Sequence, residues 1–292
     1  MARRKAIDDV KAAMRHVLST YLFSNQPLGR EALAAVAGKG ISAIELFSAD
    51  GHFNYRSPEQ IREFAGWLDG TGVTLHSVHA PMDRSGGRGR DGGAPISIAE
   101  PDKLRRTEAV DEIKHAMELA ESIPFRYFVL HMGTGREPLD GRHQDAAFNS
   151  LEYLVVFAKQ RDVTIAIENT PGELAAPEAL VDFLRQTRLR ELRLCFDVGH
   201  ARLGDGVESS FDQMRSQVVT THIHDNRGEH DDHLVPFEGT IDWEAAMRAL
   251  RSAPVELPLV LELKEPAPGG WSGVLDRVVA AFERLDKLAA AP

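Results

Sequence analysis

The chain has 292 residues, a formal net charge of −10 and one cysteine, Cys195. That length suits one large barrel or two ordinary domains, and no apolar run is long enough to span a bilayer. The acidic balance argues weakly against a nucleic-acid partner, since a net figure can conceal a basic surface, while the lone cysteine excludes an internal disulfide and fits a reducing cytoplasm.

The basic start, Met1-Ala2-Arg3-Arg4-Lys5, has no apolar segment behind it, so export is not expected. Beyond it, short apolar β-branched runs alternate with amphipathic stretches. A strand at 16–23 leads to a helix at 30–37, and a strand at 42–47 to a helix at 57–68 opened by Ser57-Pro58-Glu59. A third strand at 73–79 runs into a glycine-rich stretch from Asp83 to Gly93 that cannot fold regularly. It reads either as a lid whose Arg84, Arg88 and Arg90 meet an anionic substrate or as a solvated loop, and composition favours the loop. The helix at 103–122 carries Ile113, Met117 and Ala120 on one face. Strands at 127–131 and 163–168 then alternate with helices at 144–160 and 177–187. The strand at 192–197 holds Cys195 as a packed thiol rather than a nucleophile. Strands at 218–224 and 259–263, with helices at 242–252 and 271–288, complete the series. Eight βα units of about 36 residues match a single (β/α)8 TIM barrel, an α/β fold with an eight-stranded parallel sheet, so residues 1–292 are read as one domain.

A parallel barrel places its active site at the carboxyl ends of its strands. His79, His131, Glu168, Asp197, His222 and Glu262 fall at the ends of the third to eighth strands, and all are metal-ligand types. Any one of them has an ordinary structural explanation; their coincidence is what points to metal. His200, three residues after Asp197, can be turned into the same mouth, and Asp231 and His233 can clasp an ion from the seventh loop. His224 shares a strand face with His222 and is read as a substrate contact or an ordered inner-barrel residue before a ligand.

The segments His79-Ala80-Pro81, Leu130-His131-Met132-Gly133, Glu168-Asn169-Thr170-Pro171-Gly172, Asp197-Val198-Gly199-His200, His222-Ile223-His224-Asp225 and Leu261-Glu262-Leu263 resemble the xylose isomerase-like TIM barrel superfamily. The resemblance is good over strands three to eight and poor over the first two. It implies a divalent-metal enzyme of one of two kinds. In the sugar isomerase and epimerase branch, one ion (Mn, Zn, Co or Mg) would be held by Glu168, Asp197, His222 and Glu262, a set of three carboxylates suited to neutral polyol oxygens. In the endonuclease IV-like branch, up to three zinc ions would be held by His79, His131, Glu168, Asp197, His200, His222, Asp231, His233 and Glu262, leaving a net positive site suited to phosphate.

The first two strand segments lack the His- and Gly-rich pattern by which endonucleases of that class grip DNA, and no aromatic-and-basic stripe is evident. The leading expectation is therefore a sugar or sugar-phosphate isomerase or epimerase that works by proton transfer through a metal-stabilised enediolate. Glu168 and Glu262 would be its proton-transfer pair, with His200, His224 and Arg227 binding a carbohydrate. The alternatives are a multinuclear zinc phosphodiester hydrolase and a sugar or cyclitol dehydratase; a homodimer is in keeping with such families.

Overall fold

The computed structural model describes residues 14–49, 51–84, 94–264 and 270–290. Its strands are β1 (His16–Ser19), β2 (Ala43–Phe47), β3 (Thr74–His79), β4 (Tyr127–Leu130), β5 (Thr164–Glu168), β6 (Arg193–Asp197), β7 (Val218–His222) and β8 (Leu259–Leu261). The α-helices among the described residues are α1 (Arg30–Gly38), α2 (Pro58–Thr71), α3 (Lys103–Met117), α4 (Gly141–Lys159), α5 (Pro177–Thr187), α6 (Val198–Leu203), α7 (Val207–Met214), α8 (Trp243–Arg251) and α9 (Trp271–Ala290). Every ladder is parallel, in the order β7-β6-β5-β4-β3-β2-β1-β8. A parallel bridge between Ile223 and Leu261, just past β7, closes the (β/α)8 barrel.

The period-two alternation of the strands sorts their side chains into two populations. Outward-facing Leu46, Val78, Ile165, Ile167, Leu194 and Phe196 are buried in the large core under the helices. Inward-facing Val17, Ala43 and Val260 form one small cluster inside the barrel, and Val129, Ala166 and Cys195 another. Two residues further along the same inward faces come Glu45, Glu168, Asp197 and Glu262. Compact apolar residues thus fill the lower barrel and polar ones line its mouth.

Helix boundaries follow local chemistry. Ser57, Asp102, Asp140 and Asp242 each accept a backbone N–H from the first turn of α2, α3, α4 and α8, and Gly72 ends α2 in the left-handed conformation.

The structure departs from the sequence expectation in four places. The first strand stops at Ser19, whose hydroxyl accepts the Tyr21 N–H and turns the chain into a 3-10 helix, Thr20–Phe23. The seventh strand stops at His222, so His224 lies beyond the ladder. The eighth stops at Leu261, so Glu262 stands on the strand's extension. Between β6 and β7 the structure has two helices where none was expected. Asp197 caps the first by accepting the His200 N–H, and Val207, Phe211 and Met214 supply helical spacing for the second.

Candidate active site

Glu168 is the centre of the barrel mouth. Its Oε2 lies 3.5 Å from His79 Nε2, 3.4 Å from His131 Nε2 and 3.1 Å from His222 Nδ1, while its Oε1 lies 3.2 Å from His200 Nδ1. None of these contacts has hydrogen-bond geometry: both Glu168 oxygens and His222 Nδ1 are buried without a hydrogen-bond partner. Groups that crowd together without hydrogen-bonding one another are aimed at a shared point. Two ligands of a four-coordinate zinc at its usual bond lengths are about 3.3 Å apart, and the three contacts to Oε2, at 3.1 to 3.5 Å, bracket that spacing, whereas His200 Nδ1 is engaged by Asn169 O. The donor set fits a divalent ion.

The ligand-type atoms fall into overlapping groups: Glu168, Asp197, His222 and Glu262; His79, His131 and Glu168; and His200, His224, Asp231 and His233. A further group joins Glu168 and His222 to Cys195. Asp197 and His222 are ladder partners, which explains why they lie side by side. Glu262 Oε2 also reaches His222 Nδ1, at 3.6 Å. Most of this assembly is sealed from water; Asp231, with its side chain 37% exposed, and His131, 23% exposed, mark the open side.

Four histidines have one nitrogen tied down. His79 Nδ1 donates to the Ala80 carbonyl at 2.8 Å, His200 Nδ1 to Asn169 O at 2.9 Å and His233 Nδ1 to Glu262 O at 2.9 Å. A carbonyl can only accept, so the proton on each Nδ1 is fixed and Nε2 faces the site. His222 is held the other way round, its Nε2 on Glu45 Oε1 at 3.0 Å and its Nδ1 towards Glu168. Glu45 is itself anchored by the hydroxyl of its ladder partner Ser77, at 2.7 Å. Such partners orient an imidazole and raise its basicity as a ligand.

The outer group depends on the loop after β7. Asp225, fully buried, accepts from the backbone N–H of Asn226, Phe237 and Ile241 and from Trp243 Nε1, at 2.9, 2.9, 3.2 and 2.9 Å. A bridge from Asp225 to Leu234 folds the loop back over the mouth. Asp231 Oδ2 then lies 3.0 Å from His233 Nε2 and 3.3 Å from His200 Nε2. His233 adopts a φ of 48°, the left-handed region that favours glycine, so the loop holds this ligand-type residue at some backbone cost.

Without an ion, the site's charges compensate one another. Burial alone would raise the Glu168 carboxyl, but His222 and His131 reverse that and hold it well below the usual carboxylate range. Burial likewise opposes charging of His200 and His222. Asp197, Asp231 and Glu168 outweigh it at His200; Cys195, Glu262, Glu45 and Glu168 do so at His222, and both histidines are pushed well up. His233, also buried, is pushed up to about 9 by Asp231 and Glu262. The Cys195 thiol is buried and pushed up, which makes it a poor nucleophile.

Arg227 is not brought into this assembly. Its side chain is 63% exposed and faces Asp232 at 3.8 Å. Arg84 pairs with Glu108 on α3, and Arg88 and Arg90 lie outside the described residues. Residues that sequence reasoning missed are Glu45, Asn169 and Asp225. Asn169 pairs with the backbone of Asp197 through both ends of its amide, at 2.8 and 3.0 Å. The signal for Glu45 was a carboxylate among apolar neighbours on a strand, two residues from its end.

A family model described as xylose isomerase-like TIM barrel matches residues 33–285. The chain belongs to that family. An uncharacterized protein of Sinorhizobium fredii is 27% identical over 208 residues, which span 65% of this chain and 67% of the relative. Among solved structures, a D-tagatose 3-epimerase-like protein superposes with a TM-score of 0.75 at 22% identity, covering 95% of this chain and 100% of the other. The IolI protein with a bound zinc atom gives 0.72 at 16% identity, covering 95% and 98%. At these identities the shared property is the fold.

Proposed function

We propose that the protein is a divalent-metal-dependent isomerase or epimerase acting on a sugar or sugar phosphate, with residues 1–292 working as one domain. The observation that carries this reading is the buried group of Glu168, Asp197, His222 and Glu262 at the mouth of a barrel shared with sugar epimerases. These residues would hold one ion. When bound, a divalent ion polarises adjacent carbonyl and hydroxyl oxygens and acidifies the neighbouring carbon-bound proton.

The protein's own residues supply the rest. Glu168 on β5 and Glu262 after β8 both reach His222 Nδ1, at 3.1 and 3.6 Å, so a substrate docked at this point of the mouth would meet two carboxylates that come from different strands. One carboxylate would take the proton and the other return it. His200, its Nδ1 tied to Asn169, would offer Nε2 to a substrate hydroxyl, and the apolar clusters inside the lower barrel keep water from below. Glu262→Gln should abolish carbon-bound proton exchange in heavy water across a ketose and aldose panel while leaving the fold intact. Full activity in that variant would remove Glu262 from the mechanism.

One observation favours a second reading. With His224 left out, the outer group and the His79–His131–Glu168 group extend the inner four into a nine-residue set, in which Glu168 is common to the two inner groups and lies 3.2 Å from His200 of the outer one. Three zinc ions there would leave a net positive centre able to bind and hydrolyse a phosphodiester. Metal analysis of protein purified without chelator separates the two readings: about three zinc ions per chain with cleavage of abasic DNA supports the hydrolase, and one ion per chain with proton exchange on a sugar supports the isomerase.

A further inference from the structure

His224 is fully buried and, like His222, is held through Nε2 by a carboxylate rather than by a backbone carbonyl. Its Nδ1 has no partner, and its Nε2 lies 3.1 Å from each carboxylate oxygen of Asp197, with a hydrogen bond to Oδ2. Asp231 Oδ1 is further away, at 3.7 Å. Proximity to His200, Asp231 and His233 invites a reading of His224 as a fourth ligand of an outer ion.

Ring geometry argues against that reading. His224 lies nearly parallel on His233, with centroids 4.0 Å apart and planes at 22°. Two imidazoles on one tetrahedral ion diverge, and standard zinc–nitrogen lengths put their centroids about 5 Å apart. By contrast, His200 and His233 have centroids 6.3 Å apart and planes at 88°, so they point inward from different sides.

We infer that His224 is a positioning residue: it donates Nε2–H to Asp197 and fixes the orientation of that carboxylate in the barrel mouth. Asp197 also accepts the His200 N–H at 2.6 Å, so two donors from different elements set its rotamer. Room for the imidazole comes from Gly199, where a Cβ would fall 1.9 Å from His224 Cε1. The sequence therefore carries two linked features: a glycine two residues after Asp197 and a histidine two residues after His222. The effect on metal affinity rests on the proposed ion at Glu168, Asp197, His222 and Glu262; the hydrogen bond itself does not.

Two measurements test the inference. Imidazole nitrogen shifts of the metal-free protein, labelled with 15N-histidine, should show His224 protonated at Nε2 and bare at Nδ1; the opposite tautomer overturns the proposal. Manganese and zinc titrations then compare His224→Leu, which removes the donor, with His224→Gln, which keeps an N–H of similar reach. Loss of such a partner typically weakens metal binding about 10- to 100-fold. That loss is expected for His224→Leu, with wild-type affinity in His224→Gln. Equal loss in both variants would make the ring itself a ligand, and no loss in His224→Leu would leave His224 without a role; either result refutes the proposal. Should the wild-type protein bind no ion, the proposed function fails while the tautomer still decides the hydrogen bond.

Discussion

Replacing Glu45 by Gln probes the site through a residue that touches neither water nor substrate. Glu45 is fully buried, with Oε1 accepting from His222 Nε2 at 3.0 Å and Oε2 from Ser77 Oγ at 2.7 Å. Glutamine is nearly isosteric, and its amide can keep both contacts by turning oxygen to His222 and NH2 to the Ser77 hydroxyl, which accepts as readily as it donates. The substitution therefore removes charge and little else. A charge-assisted hydrogen bond of about 1.5–3 kcal/mol becomes a neutral one of about 0.5–1.5 kcal/mol. His222 becomes less basic and less firmly held, and zinc affinity should fall about 10- to 100-fold, as expected for loss of a carboxylate behind a ligand histidine.

The metal-free protein should lose stability as well. Burial opposes charge on Glu45, but His222 outweighs it and holds the carboxyl below its ordinary range, so the pair is charged in the absence of metal. Stripping one partner from a buried pair costs about 3–5 kcal/mol when nothing else compensates. Here Glu168 remains 3.1 Å from His222, which reduces the expected cost to about 1–3 kcal/mol. Competition against a chromophoric chelator reads the first effect, and denaturant melts in excess chelator read the second. A Glu45→Gln protein that binds zinc as tightly as wild type would refute the view that this carboxylate tunes His222.

Metal binding should release protons, because His200 and His222 are held well above their ordinary range and His233 at about 9. Calorimetric titrations in buffers of different ionisation enthalpy measure that release, and heats independent of buffer would contradict it. The sign for stability follows from the same shifts. A histidine raised from 6.5 to about 9, as His233 is, stabilises the metal-free fold fully below pH 6.5 and loses that contribution as pH rises through about 9. Melts in chelator should therefore weaken over that window, whereas metal-loaded protein should gain relative stability because protons no longer compete for the ligands. Asp225→Asn replaces one oxygen by an NH2 that faces two N–H donors. Each orphaned donor costs about 1–3 kcal/mol, so a loss of about 2–6 kcal/mol is expected, together with altered Trp243 fluorescence. Unchanged denaturation would show that the loop is held by something else.

What the sequence revealed depended on range. The βα alternation and the ligand-type residues at strand ends are local patterns, so the barrel and the convergence of His79, His131, Glu168, Asp197, His222 and Glu262 could be anticipated from them. Glu45 stands out locally as a carboxylate among apolar strand neighbours, but its role could not be read that way. Its role comes from His222, 177 residues distant in sequence, which only barrel closure brings within 3.0 Å. Arg227 was drawn in because its neighbours carry the chemistry, but the turn at Gly228, with φ of 86°, belongs to a loop whose backbone N–H at Arg227 is spent on Asp232. The helices after β6 were hidden because Asp197 is both a ligand-type residue and a helix cap, and its chemistry drew attention from its geometry.

That double use of Asp197 bears on how the site is built. Its Oδ1 caps α6 by accepting the His200 N–H, which places His200 above Glu168, and its Oδ2 accepts from His224. Asn169 joins the same node by pairing with the Asp197 backbone while its carbonyl takes the His200 Nδ1–H. The ends of β5, β6 and β7 are thus locked by hydrogen bonds that leave Glu168 itself with no partner. Leaving a buried carboxylate unsatisfied is costly for folding, commonly about 1–3 kcal/mol or more for a charged group, while its neighbours are satisfied within 3 Å or so. An arrangement that satisfies the supporting residues and starves the central one is what the proposed cation site requires.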